Sequence, residues 1–183
     1  MPRLAGVRRW LGVAVSWVLL GIIGGGAWHV IAHPARFTKF GDQWFMGQLA
    51  LGDRFGVDGW FAVIGAGISA LAGLAWLMRT RLHPVGVVVA GVVGSVVAGA
   101  IAWGTGLLMA PSAAQLAELT KAGVGGSTVP DRFVLFWPGF LMAWPTGFLM
   151  GAVTGLLLLD AVTTNYRRPP SATAEVNRGR SVP

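Results

Sequence analysis

The feature that most constrains the fold is an uncharged run from Pro84 to Met109, PVGVVVAGVVGSVVAGAIAWGTGLLM. At a rise of 1.5 Å per residue, a helix of this length measures roughly 37 Å, enough to cross the hydrocarbon core of a bilayer with some tilt. A charged side chain is costly in that layer, and this run contains none. The run therefore predicts a membrane-spanning helix.

Small residues recur along this run with a step of four. Helices in a bilayer associate through close backbone approach and dispersion contacts, which small residues permit. Two neighbouring ladders have this spacing: Gly86, Ala90, Gly94, Ala98, Ala102 and Gly106 form one, and Gly91, Ser95 and Gly99 form the other. We expect this helix to contact at least two neighbours. A bulky side chain at Gly94 or Gly99 is expected to impair assembly most.

The composition extends this prediction to the whole chain. Of the 183 residues, 54% are hydrophobic and only 11% are charged, a balance outside the range of soluble globular domains. We predict an all-α integral membrane four-helix bundle, 10–166, with two ordered loops between the spans at one membrane face. The four spans are expected at about 10–31, 59–78, 84–109 and 133–159, and the two long loops at 32–57 and 112–131. A basic lead, 1–9, precedes the spans, and a disordered basic tail, 167–183, follows them.

Two other spans carry small residues at the same spacing, and the fourth also contains two prolines. The small residues are Gly65, Ser69 and Gly73 in the second span, and Gly147, Gly151 and Gly155 in the fourth. Pro138 and Pro145 each follow a tryptophan. Because proline removes a backbone hydrogen bond, we expect a kink near Pro145.

The charges predict the orientation of the spans. Nine basic and two acidic residues lie on the side of the termini and the short turn 79–83, whereas the two long loops, with Asp58 and Arg132 at their borders, carry five of each sign. The positive-inside rule then places both termini in the cytoplasm and both long loops outside. Because topology accounts for the whole net charge of +7, we predict no nucleic-acid partner.

Few residues are candidates for chemistry, and the chain has no cysteine. His29 and His33 are four apart, so on one helix they share a face, as two metal ligands can. No third ligand is specified, and two partly buried interfacial histidines are the alternative. Among the acids of the loops, Asp58 and Asp131 are interpreted as caps at helix starts. We predict no catalytic residue and no cofactor.

A short echo links the two halves of the chain. Asp53-Arg54-Phe55 precedes the second span, and Asp131-Arg132-Phe133 begins the fourth. The echo is compatible with a parallel repeat of two hairpins, or with two unrelated interfacial helix starts.

The cores of the second, third and fourth spans contain no ionisable residue, which disfavours ion-coupled transport. The transporter hypothesis therefore predicts a water-accessible path lined by Ser69, Thr146 and Thr154, near the expected kink at Pro145. Serine and threonine in membrane helices also bond back to their own backbone, which is the alternative interpretation.

From Asp58-Gly59-Trp60-Phe61 to Ala143-Trp144-Pro145, the arrangement resembles an uncharacterised actinobacterial membrane family, known as a domain of unknown function with four predicted helices. In that family an Asp-Gly pair opens the second helix and Ala-Trp-Pro occurs in the fourth. The resemblance covers roughly residues 10–160. It implies a four-helix membrane fold and brings no activity, substrate or site residue.

The leading functional hypothesis is a non-enzymatic accessory or scaffold subunit of the plasma membrane. Its expected partners are membrane lipids and either other membrane subunits or copies of itself, because small-residue stripes are more numerous than a monomer's core needs. The alternative is a small transporter or permease-like component. A third hypothesis is an extracytoplasmic enzyme or metal site built on His29, His33 and an outer carboxylate.

Overall fold

The computed structural model describes residues 2–79 and 84–166. Most of the expected basic turn, 80–83, and the expected tail, 167–183, lie outside the described residues. In chain order the elements are α1 (Pro2–Ile31), β1 (Arg36–Phe40), β2 (Gln43–Met46), α2 (Gln48–Arg79), α3 (Pro84–Met109), α4 (Ala113–Ala122), β3 (Thr128–Pro130), a 3-10 helix (Pro138–Met142) and α5 (Ala143–Tyr166).

Four of these helices, α1, α2, α3 and α5, are long and apolar enough to cross a membrane. This confirms the predicted set of four apolar spans and is typical of a multi-pass membrane protein. Helix α1 also continues through the basic lead, beginning at Pro2. Arginine is a good helix former, so the lead extends the span instead of ending it.

Two helix starts differ from the prediction. Helix α2 begins at Gln48, well before Gly59, because hydropathy marks where a helix leaves the hydrocarbon and not where its hydrogen bonding begins. The fourth span starts late: residues 133–137 are not helical, and Pro138 opens the 3-10 helix. A residue before proline avoids the helical region, and Trp137 is extended at φ −119°, ψ 108°.

The two long loops form a structured cap, defined here as β1, β2, β3 and α4. The strands make one antiparallel sheet in the order β2-β1-β3, which the all-α prediction did not include. Gly41, at φ 60°, is the first central residue of the two-residue turn between β1 and β2, as a type II′ turn requires. Helix α4 begins with a capping box between Ser112 and Gln115.

The bundle is built from two helix pairs that run in the same direction. In the first, Gly21 and Gly25 of α1 lie against the backbone carbonyls of Ala98 and Ala102 of α3. In the second, Gly147 and Gly151 of α5 lie against the carbonyls of Ala66 and Ala70 of α2. In each pair, a step of four residues along one helix matches a step of four residues along the other. Each contact has no side chain between the two backbones, as small residues allow in lipid.

One tryptophan of α5 fills the centre of the bundle. An added Cβ at Gly24 of α1, Gly65 of α2 or Gly99 of α3 would meet the Trp144 ring within 3.0 Å. Trp144 is 1% exposed and is flanked by Phe61, at 6.3 Å between ring centroids. One glycine from each of the other three long helices therefore makes room for this side chain.

The bundle has two distinct ends. We call the end next to the cap the cap end. We call the opposite end, where α1 begins and where α2 and α5 finish, the basic end, since Arg8 and Arg79 lie there and are exposed.

Candidate functional sites at the two ends of the bundle

Asp58 is the most buried charged side chain of the described residues, at 1% exposure. Its Oδ1 accepts a hydrogen bond from the Phe136 N–H at 3.0 Å, and its Oδ2 accepts one from the Trp137 N–H at 3.2 Å. The interpretation of Asp58 as a cap of its own helix was wrong, because it lies inside α2. It holds the two residues that precede the 3-10 helix, and so ties α2 to the segment that leads into α5.

Asp131 also lies away from a helix start, in a segment that is neither helix nor strand, so that interpretation was wrong as well. Its carboxylate accepts the Arg132 N–H at 2.7 Å and lies 3.2 Å from the Nε of Arg54. The guanidinium of Arg54 also stacks on Phe136, at 5.0 Å from the ring centroid. The Asp-Arg-Phe echo thus links one motif to the other, and the two copies differ in conformation: the first is helical and the second is not.

Trp28 closes the cap end between α1 and α2. Its indole N–H donates to the carbonyl of Val57 at 2.7 Å, and its side chain is fully buried. The ring packs between Phe61 and Phe133, with centroids 5.0 and 4.4 Å away. Sequence reasoning missed this residue, because its only sequence signal is an aromatic side chain near the end of a span.

The two histidines occupy different environments at the end of α1. His33 is exposed, whereas His29 is half-buried with its ring 5.1 Å from that of Phe133. The buried Nδ1 of His29 has no hydrogen-bond partner among the described residues. Within residues 2–79 and 84–166, no group of three or more His, Cys, Asp or Glu side chains is placed to hold a metal ion.

The hydroxyl groups of the hypothesised transport path point to different places. Ser69 is fully buried and bonds to the Gly65 carbonyl at 2.6 Å. Thr146 and Thr154 are on the exposed surface of α5, where each bonds to the carbonyl four residues earlier. The three side chains therefore do not line a common path. Of the two prolines of the fourth span, Pro138 is the first residue of the 3-10 helix and Pro145 lies in the first turn of α5.

The small residues predicted to pack helices mostly face groups of the same chain. A Cβ at Gly91 or Gly94 would overlap the rings of Phe148 and Trp17, respectively. Gly73 lies against the backbone of α5, and Gly155 meets leucine side chains of α2. Ser95 and Ala98 are fully buried, Ala90 is half-buried, and Gly86 faces open space. Because these positions are filled within one chain, the stripes alone do not require a partner.

A cleft of about 440 Å³ lies between α1 and α2 at the basic end. Its walls include the rings of Trp17 and Trp76, whose centroids are 6.0 Å apart, and Arg79 contributes the charged side chain of the lining. No sequence pattern predicted it, since the gap depends on how α1 and α2 pack against each other.

At the cap, the turn of the β1–β2 hairpin presents two aromatic rings to the outside. Phe40 and Phe45 are 66% and 50% exposed, and their centroids lie 6.2 Å apart in an edge arrangement. Beside them, the Nζ of Lys39 donates to the Gly123 carbonyl at 2.7 Å, joining the hairpin to the end of α4. We call Phe40 and Phe45 the hairpin tip.

No protein-family model, curated protein or solved structure matches this chain. The resemblance to the actinobacterial four-helix family therefore stays a prediction.

Proposed function

We propose that this chain is a non-enzymatic accessory or scaffold subunit of the plasma membrane, packed in a larger membrane complex or with copies of itself. Both termini are assigned to the cytoplasm, from the excess of basic residues in the terminal segments and the short turn. In this orientation the cap faces outward. The observation that carries the proposal is the hairpin tip.

The hairpin tip has the properties of a contact surface. Two large aromatic side chains stay exposed on a short, hydrogen-bonded hairpin, although a protein gains by burying such rings. The type II′ turn, the pairing of β1 with β3 and the Lys39 hydrogen bond hold the pair in place before any partner binds. A preorganised aromatic pair loses little conformational freedom on binding, which favours its use as an anchor.

The buried polar side chains support a non-enzymatic function. Asp58, Ser69 and Ser95 are the buried polar residues of the described chain, and each is hydrogen-bonded to backbone. Their hydrogen-bonding capacity is directed to the fold: Asp58 accepts two backbone N–H groups, and each serine hydroxyl is satisfied by a carbonyl of its own helix.

The test is extraction from native membranes in a mild detergent, followed by native mass measurement of the full chain. We expect a mass above that of the monomer, from a defined partner or a homo-oligomer. The double variant Phe40→Ser, Phe45→Ser should shift the mass to that of the monomer. Phe55→Ser is the matched control, because Phe55 is 63% exposed but lies on α2, away from the tip. A wild-type monomer without a bound protein would contradict the proposal.

A further inference from the structure

The cleft at the basic end opens at the depth where lipid headgroups meet acyl chains. Counting along α2 from Val57, at the cap end, to Arg79 gives roughly 33 Å at 1.5 Å per residue. The hydrocarbon core of a bilayer is about 30 Å thick. When the buried cap-end residues sit at one boundary of that core, Arg79 reaches the opposite boundary, at the level of the lipid phosphates.

The lining of the cleft is apolar along its length and carries one cationic side chain, Arg79, at its mouth. Val13 and Leu20 of α1 face Ala72 of α2, with the two tryptophan rings beside them. The hydroxyl of Ser16, which also lines the cleft, bonds to the Gly12 carbonyl at 2.8 Å and so adds no free polar anchor within the channel. Arg79, at the mouth, is exposed.

The length of the cleft favours a small occupant. From Ala72 to Arg79 the cleft follows α2 for roughly 11 Å. This is about a third of the roughly 30 Å hydrocarbon core, so the cleft is too short to receive a partner helix along its span. Part of a single hydrocarbon chain matches this length, and the cationic side chain at the mouth matches an anionic headgroup.

We propose that this cleft binds one acyl chain of an anionic phospholipid, whose phosphate pairs with Arg79. The acyl chain lies along the cleft, beside the Trp17 and Trp76 rings, and fills the gap that α1 and α2 leave. The charge of Arg79 favours an anionic over a zwitterionic headgroup, as basic side chains do next to an anionic leaflet. This proposal is independent of the accessory function, because it concerns the opposite end of the bundle from the hairpin tip.

The experiment uses the purified full chain in micelles and native mass measurement of retained lipid. The probes are phosphatidylglycerol and phosphatidylcholine with identical acyl chains. We expect wild type to retain one phosphatidylglycerol in preference to phosphatidylcholine. Arg79→Gln should reduce that preference about fivefold, the worth of one basic side chain near an anionic surface.

Two tryptophan substitutions separate the cleft from the general lipid-facing surface. Ala75 is exposed and lines the cleft, so Ala75→Trp should fill it and remove the retained lipid. Ala100 is exposed on α3, away from the cleft, so Ala100→Trp should retain lipid as wild type does. A thermal unfolding scan of each variant verifies that the bundle is intact.

Three results would overturn the proposal. The first is equal retention of the two lipids by wild type and by Arg79→Gln. The second is equal loss of lipid in the Ala75 and Ala100 variants, which would assign retention to the general surface. The third is a lipid-free dimer that Ala75→Trp converts to a monomer, which would assign the cleft to a second copy of the chain.

Discussion

The two ends of the helix bundle use the same kinds of side chain, but the space between α1 and α2 is filled at the cap end and partly open at the basic end. At the cap end, Trp28 is buried between Phe61 and Phe133 and donates a 2.7 Å hydrogen bond to a helical carbonyl. At the basic end, Trp17 and Trp76 contact each other and Phe148 of α5, with centroids 5.7 to 6.1 Å apart, and Trp17 is buried, yet a cleft remains beside them.

The difference shows that aromatic residues alone do not close a helix pair. At the cap end, residues 133–137 supply Phe133 and are held by the carboxylate of Asp58. The hairpin that connects α1 to α2 also lies at that end. At the basic end Phe148 of α5 contacts both tryptophan rings, but no segment of the described residues connects α1 to α2 there, and a cleft remains between the two helices.

Replacing Trp144 should have the largest effect on stability. Trp144→Ala leaves a cavity flanked by glycines of three helices, which have no side chains to collapse into it, at a cost of about 4 kcal/mol. Trp17→Ala, the matched change at the basic end, should cost about half as much, because lipid or detergent in the adjoining cleft can fill the space. Unfolding in mixed micelles with increasing SDS measures both. Equal losses would contradict the contrast between the two ends.

The two glycines singled out in the sequence should differ in the same sense. Gly99→Leu forces a side chain against Trp144, which is enclosed on all sides, and should cost about 3 kcal/mol. Gly94→Leu overlaps Trp17 more severely, yet that ring borders the cleft and can move into it, so we expect about 1 kcal/mol. The same unfolding assay ranks the two, and Gly86→Leu, in open space, is the control. A larger loss for Gly94→Leu would show that the cleft gives Trp17 no freedom.

Removing the buried carboxylate should loosen the cap end specifically. Asp58→Ala leaves the N–H groups of Phe136 and Trp137 without their acceptor, at a cost of about 2 kcal/mol. Asp58→Asn keeps one acceptor oxygen and should lose about half of that. Hydrogen exchange of residues 133–142 is the direct readout, with the basic end of α2 as the internal reference. Uniform exchange along the bundle would contradict a local effect.

The ion pair of the cap should contribute least. Arg54 is 44% exposed as a side chain, so solvent screens its contact with Asp131. Arg54→Gln is expected to lower the free energy of unfolding by less than about 0.5 kcal/mol. A larger loss that disappears in high salt would show that the pair is less screened than its exposure indicates.

The positions of the long helices could be predicted from the sequence, because they depend on residues that are adjacent along the chain. Length and hydropathy identify all four apolar helices. The start of α2 at Gln48 was missed, because Asp53 and Arg54 indicate a loop to any hydropathy argument although a helix above the membrane tolerates them. The pairing of β1 with β3 was missed because it joins residues at least 90 positions apart, such as Thr38 and Thr128.

By itself, the sequence determined that this chain forms apolar membrane-length helices with small residues at regular steps, since both properties follow from local composition and periodicity. Only the tertiary structure decided what those small residues meet. Gly99 packs against the Trp144 ring of α5, Gly147 packs against the backbone of α2, and Gly86 has no neighbour on its open side. The physical reason is that a helix presents small residues on several faces at once, and only the rotation and crossing of its neighbours select the face that is used.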